Sequence, residues 1–150
     1  MISCTEFIPS YSALFSYIHL REGKEGVVAY WEHISDTYVA ERLGEEVTEK
    51  GIRGCWDYWS RALSEEAADF TLTLDEDEGS FVIDMHHCPS MGRLIDMKHM
   101  EPYPYYCEHC DTLYRRVLEP HGFEYDIDLS RCKTAACQIA VREKRKEASK

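Results

Sequence analysis

The chain has 150 residues, with 17 Lys+Arg against 28 Asp+Glu for a formal charge of −11. That length suits one domain, and 44% hydrophobic with 12% aromatic content excludes a disordered acidic tail. The acidic balance repels a phosphate backbone, and no apolar run approaches the ~20 residues that cross a bilayer; neither nucleic acid nor membrane is an expected partner.

In chain order, Pro9-Ser10 precede a stretch over 11–20 with Leu14, Phe15 and Ile18 at helical spacing, ended by Gly23. A second helix is predicted over 24–43, where Val27, Trp31, Ile34, Tyr38 and Val39 form one stripe before Gly44. A third, after Gly54, sets Cys55, Trp56, Trp59 and Leu63 on a common face. From residue 69 the period changes to two. Phe70, Leu72 and Leu74 alternate with polar residues, residues 75–80 make a turn, and Phe81, Ile83, Met85 and His87 alternate in a returning strand. Residues 88–106 carry three prolines and Gly92, and read as loop with a short helical turn near 92–98. A helix over 105–119 follows, closed by Pro120 and Gly122. Strand patterns around 123–129 and 137–141 flank a turn at 132–134.

The order is helices, then β-β-α-β-β. The predicted architecture is α+β, N-terminal helices packed on a four-stranded antiparallel sheet, in a single domain over 1–150. The helical layer covers about 9–66 and the cysteine-rich part about 69–142. No leader of basic then apolar residues opens the chain, so a cytoplasmic location is expected. The basic run Arg142-Glu143-Lys144-Arg145-Lys146 reads as a solvated end. A homo-oligomer is left open.

Seven cysteines, at 4, 55, 88, 107, 110, 132 and 137, are an odd count and disfavour a complete disulfide framework. Cys107-Glu108-His109-Cys110 is the strongest chemical signal, because a two-residue gap lets two thiolates approach one metal ion. On a helix the pair shares a face with Leu113, Tyr114 and Val117, turned to the core. Strand parity aims His87 and Cys137 at that helix, and Cys88 follows the strand end. Cys88, Cys107, Cys110 and Cys137 are therefore expected to converge as a site for a divalent metal, zinc or iron, with His87 and Cys132 in reserve. Two other readings stay open: reactive thiols, or cysteines that pack as small hydrophobes, the role expected of Cys4 and Cys55.

His109 and His99 lie near the cysteines as candidate proton carriers. His86 falls on the opposite sheet face beside Asp84. Arg93, with Lys98 further on, is the cation best placed to bind a substrate carboxylate. Trp31, Trp56, Trp59 and Tyr58 have the spacing of core residues before that of a pocket roof.

His87-Cys88-Pro89, then Tyr106-Cys107-Glu108-His109-Cys110, then Leu129-Ser130-Arg131-Cys132…Cys137 resembles the L-2-amino-thiazoline-4-carboxylic acid hydrolase family over about residues 69–141. The resemblance implies a hydrolase that opens a cyclic amidine or thiazoline-type small molecule. It carries over best to Cys88, Cys110 and Cys137, then to Cys107. A metal held by these thiols could polarise the ring, or Cys88 or Cys110 could attack it as a thiolate while a histidine such as His109 moves the proton. The β-β-α-β-β pattern with cysteines is also similar to domains of the 4-vinyl-reductase type, which implies a metal- or ligand-binding sensor or accessory module without catalysis.

Overall fold

The computed structural model describes residues 4–144; the side chains of Cys4 and Thr5 fall outside the described residues, as do Arg145 and Lys146 of the basic run. The packing role expected of Cys4 thus lies outside them.

Helix α1 (Cys4–Ile34) is two helices folded on each other at Gly23, whose φ of 75° is a left-handed conformation that a Cβ disfavours. Unbroken helix would separate Phe15 from Trp31 by about 24 Å, yet their rings meet edge to face with centroids 5.4 Å apart. Gly23 thus closes a helical hairpin. The first helix starts at Cys4, before Pro9 rather than after it.

The predicted second helix is not regular throughout. Ser35–Val39 form a π turn, closed by the Ala40 N–H donating to the Ser35 carbonyl. The buried Ser35 hydroxyl donates to the Leu113 carbonyl at 2.8 Å, which ties this turn to a later helix. Helix α2 (Ala40–Lys50) then runs through Gly44, the expected stop, and the break comes at Gly51 with a φ of 59°. Helix α3 (Ile52–Ser64) likewise begins before Gly54. A Cβ at Gly54 would stand 2.3 Å from the Glu46 carbonyl oxygen, so this glycine lets α3 lie directly against α2.

Strands β1 (Asp69–Asp75) and β2 (Ser80–His87) make the expected hairpin, and β3 (Phe123–Asp128) pairs with β4 (Cys137–Glu143). The sheet is antiparallel in the order β1-β2-β4-β3, so the last strand lies inside, against β2. Register sets Phe81 opposite Val141, Ile83 opposite Ile139 and Met85 opposite Cys137. These inward side chains pack with Leu43, Cys55, Trp59, Val117 and Leu118 as one hydrophobic cluster. The class is α+β, helices on a four-stranded antiparallel sheet, as the sequence indicates.

Much of the stretch read as loop is helix α4 (Pro89–Asp96), with Pro89 in the first turn where its missing N–H goes unneeded. Helix α5 (Glu108–Leu118) starts later than residue 105, because residues 103–107 form turns. A second hydrophobic cluster joins the α1 hairpin to this region through Phe15, Val27, Trp31, Leu94, Tyr103 and Tyr106. Trp31 and Trp59 are core residues, and Trp56 and Tyr58 pack against the sheet cluster. Among the described residues, no helix is long and apolar enough to cross a membrane.

Candidate functional site

Antiparallel pairing brings the end of β2, the end of β3 and the start of β4 together at one end of the sheet. Cys137 opens β4, and Cys88 leaves β2 beside it, its N–H donating to the Ala135 carbonyl at 2.7 Å. Cys132 opens the short 3-10 turn Cys132–Thr134 between β3 and β4. Helix α5 aims its N-terminus at the same place, with Cys107 as N-cap and Cys110 in the first turn. Cys88 is likewise the N-cap of α4.

These five free thiols and His109 line one cavity of about 50 Å³. Met91, Ile127, Leu129 and Ala135 supply apolar wall, and no Lys, Arg, Asp or Glu is among its lining residues. The four cysteines expected to meet do share this space. Cys132 joins them from reserve; His87 does not, and its ring lies against Gly92. Among the described residues, no three His, Cys, Asp or Glu side chains stand together so that they could hold a metal ion without moving. A larger hollow of about 980 Å³ beside the 75–80 turn is lined mainly by charged surface residues and holds no thiol or imidazole.

Burial sets the protonation of the thiols. It pushes Cys110 up to about 12, with the Asp111 carboxylate adding to the rise. Cys137 also goes up to about 12, first through burial and then through Cys110 and Cys88. Cys107 is raised further by burial and its four thiol neighbours. Cys88 rises for the same reasons, but the Ser90 and Met91 amides face its sulfur and offset part of the rise, short of a formed N-cap hydrogen bond. At neutral pH Cys88, Cys107, Cys110 and Cys137 carry their protons.

His109 is the one imidazole in the cavity wall. Its Nδ1 is bonded to the Tyr106 carbonyl, which can only accept, so the proton sits on Nδ1 and the lone pair on Nε2. That Nε2 faces the Cys110 Sγ at 3.6 Å. Burial pushes the imidazole pKa down, so the ring is neutral at pH 7. Tyr11, Phe15, Trp31 and Tyr106 surround it, with centroids 4.9–6.4 Å away.

Other candidates lie elsewhere. Arg93 on α4 is outside the cavity wall, and its Nη2 stands 3.6 Å from Glu66 Oε2, a carboxylate of the protein itself. His86 pairs with Thr71 Oγ1 at 2.9 Å, whereas Asp84 takes Arg131 at 3.2 Å, so each of these two neighbours on the outer face has another partner. His99 and Lys98 are exposed between α4 and α5. Cys55 is fully buried in the sheet cluster.

Sequence reasoning missed two features of the wall. Ala135 has a φ of 58°, the one left-handed residue other than glycine among the described residues, and its carbonyl holds Cys88. The Tyr106 hydroxyl bonds Ser90 Oγ at 2.6 Å and so links the segment before α5 to α4. Neither has a composition signal. No protein-family model, curated protein or solved structure matches this chain.

Proposed function

We propose that this protein is a metal-binding module that holds a soft divalent ion, zinc or iron, in the thiol cavity, with ligands drawn from Cys88, Cys107, Cys110 and Cys137. The observation that supports this reading is the gathering of five thiols and one imidazole, from separate stretches of chain, around one apolar space. Thiolates are costly to bury without a cation, and the cavity wall offers none. A metal ion replaces the thiol protons and supplies that charge. The space also suits an ion: about 50 Å³ exceeds the ~30 Å³ share of one water, whereas small-molecule pockets start near 300 Å³.

A second reading is the thiazoline-type hydrolase, and one observation favours it. His109 Nε2 faces the Cys110 sulfur with its tautomer fixed by a backbone carbonyl, the relation of a general base to a nucleophile. It requires the cavity to open for a ring that it does not hold as it stands, and a carboxylate partner other than Arg93.

Elemental analysis of anaerobically purified protein, with thiol titration on the same sample, separates the two. The metal reading expects about one zinc or iron per chain, lost in Cys110→Ser. Protein that carries no metal, takes up none on zinc titration, and titrates all its thiols as free overturns it. Hydrolysis of an aminothiazoline carboxylate by such metal-free protein would establish the second reading.

A further inference from the structure

We infer that His109 is itself a metal ligand, and that the ion sits in a mixed site of two thiolates, Cys88 and Cys110, with the His109 Nε2 and a fourth position open to a water-sized ligand. This rests on the metal-binding reading above and adds which atoms hold the ion and what they leave free.

The first argument is the bite of the Cys110/His109 pair. Around a tetrahedral zinc, sulfur lies about 2.3 Å and nitrogen about 2.0–2.1 Å from the ion, which sets the two about 3.5–3.6 Å apart. The observed separation is 3.6 Å. The second is orientation. A ligating histidine commonly gives its other ring N–H to a carbonyl or carboxylate, which fixes the tautomer and turns the free nitrogen to the metal. His109 has that arrangement through Tyr106, and the surrounding rings hold the imidazole plane in place.

Charge decides how many thiolates join. Four around a dication leave a net charge of −2 in a cavity whose lining includes no cation. Arg131, near Cys137, is instead paired with Asp84. An unpaired buried charge of that size is expensive. Two thiolates with a neutral imidazole cancel the ion's charge. Cys88 is the better second thiolate because it lines the cavity as the N-cap of α4 and has one sulfur, that of Cys110, acting on it, where Cys107 has four and Cys137 three. Cys110 and His109 already stand at ligating separation, and Cys88, which lines the same cavity, has to move in to complete the set, since no three such side chains stand together among the described residues. The cavity then retains room for about one water, and its half-buried wall gives that ligand a way in. A metal with an open position is the arrangement of catalytic rather than structural zinc.

The test is X-ray absorption spectroscopy of the full-length protein loaded with zinc, with optical spectra of the cobalt form. The expected first shell holds one nitrogen at about 2.0–2.1 Å and about two sulfurs at 2.3 Å, and added azide shifts the cobalt spectrum. His109→Ala removes the nitrogen scatterer from the protein and weakens zinc binding by more than about tenfold. A wild-type shell of sulfur alone, with a cobalt spectrum indifferent to azide, overturns the inference and leaves the metal-binding reading standing. Absence of any metal uptake overturns the reading itself. The wild-type spectra decide the matter even if His109→Ala does not fold.

Discussion

Cys55 and Cys110 have thiols pushed to similar heights, both up to about 12, and burial is the main cause for each. What separates them is company. Cys55 lies in the sheet core, among apolar side chains, whereas Cys110 shares its cavity with four more thiols and His109. The pKa direction has a consequence for the metal-free protein. A thiol raised above its ordinary value of 9 favours the protonated fold. Its stabilising effect is complete below pH 9 and is lost as pH climbs toward 12. The melting temperature of reduced, metal-free protein is therefore expected to hold between about pH 7 and 8.5 and to fall steadily above pH 9. In Cys137→Ala the fall should be shallower. Equal slopes for the two proteins would mean that Cys137 ionises in the fold as freely as in the unfolded chain.

At the level of elements, glycine shows why some boundaries were legible and others were not. Gly23 sits at a left-handed backbone position where helix cannot continue, and the hairpin there follows from its place in the pattern. Gly44 and Gly54 carry the same letter for other reasons. A Cβ at Gly44 would make ordinary contact with the His121 ring at 3.5 Å, while one at Gly54 would collide with the α2 backbone. Gly44→Ala is thus expected to be neutral or stabilising by up to about 1 kcal/mol, and Gly54→Ala to destabilise by about 3 kcal/mol, as measured by urea unfolding. Similar costs for the two would refute the close crossing of α2 on α3. The strands were easier to read, because a two-residue period with one wet face states both the element and its inward side. That parity is why Cys137 could be aimed at α5 from sequence. His87 shows its limit: the pairing shifts register between Asp69 and Phe70, opposite the end of β2, and the ring turns to Gly92 instead. Helix α4 was read only in part, as a short turn near 92–98, because the prolines point to loop, although Pro89 opens the helix.

Across the whole molecule, the thiol cavity lies where two hydrophobic clusters meet. Cys88 and Cys137 pack against the sheet cluster, Cys107 against that of the α1 hairpin, and the His109 ring lies among hairpin aromatics. Among the described residues the hairpin cluster has six buried members, a small core to hold by itself, and the polar ties here include the buried Ser12 hydroxyl accepting from the Tyr103 N–H, the buried Ser35 hydroxyl on Leu113 and the exposed Lys24 salt bridge to Glu108 at 2.7 Å. The Ser35 tie sits on the π turn, where Arg116 of α5 also holds Asp36, and Lys24 and Glu32 of α1 pair with Glu108 and Arg116 of α5 on the surface. An ion bound by Cys88, Cys110 and His109 would add a further tie, between the strand end and the hairpin aromatics. Binding to the folded state alone stabilises by about 2.7 kcal/mol at a hundredfold excess over Kd. If the ion clasps the clusters together, zinc should slow amide exchange in both halves of α1 as well as around residues 84–88 and 137–139. Protection confined to the immediate cavity residues, with α1 exchanging at its metal-free rate, would mean that the site serves its ligand without bracing the fold. The clasp would also give a reason for ligands from two separate stretches of chain: ligands drawn from the 107–110 segment alone could bind an ion, but they could not join the strand end to the hairpin.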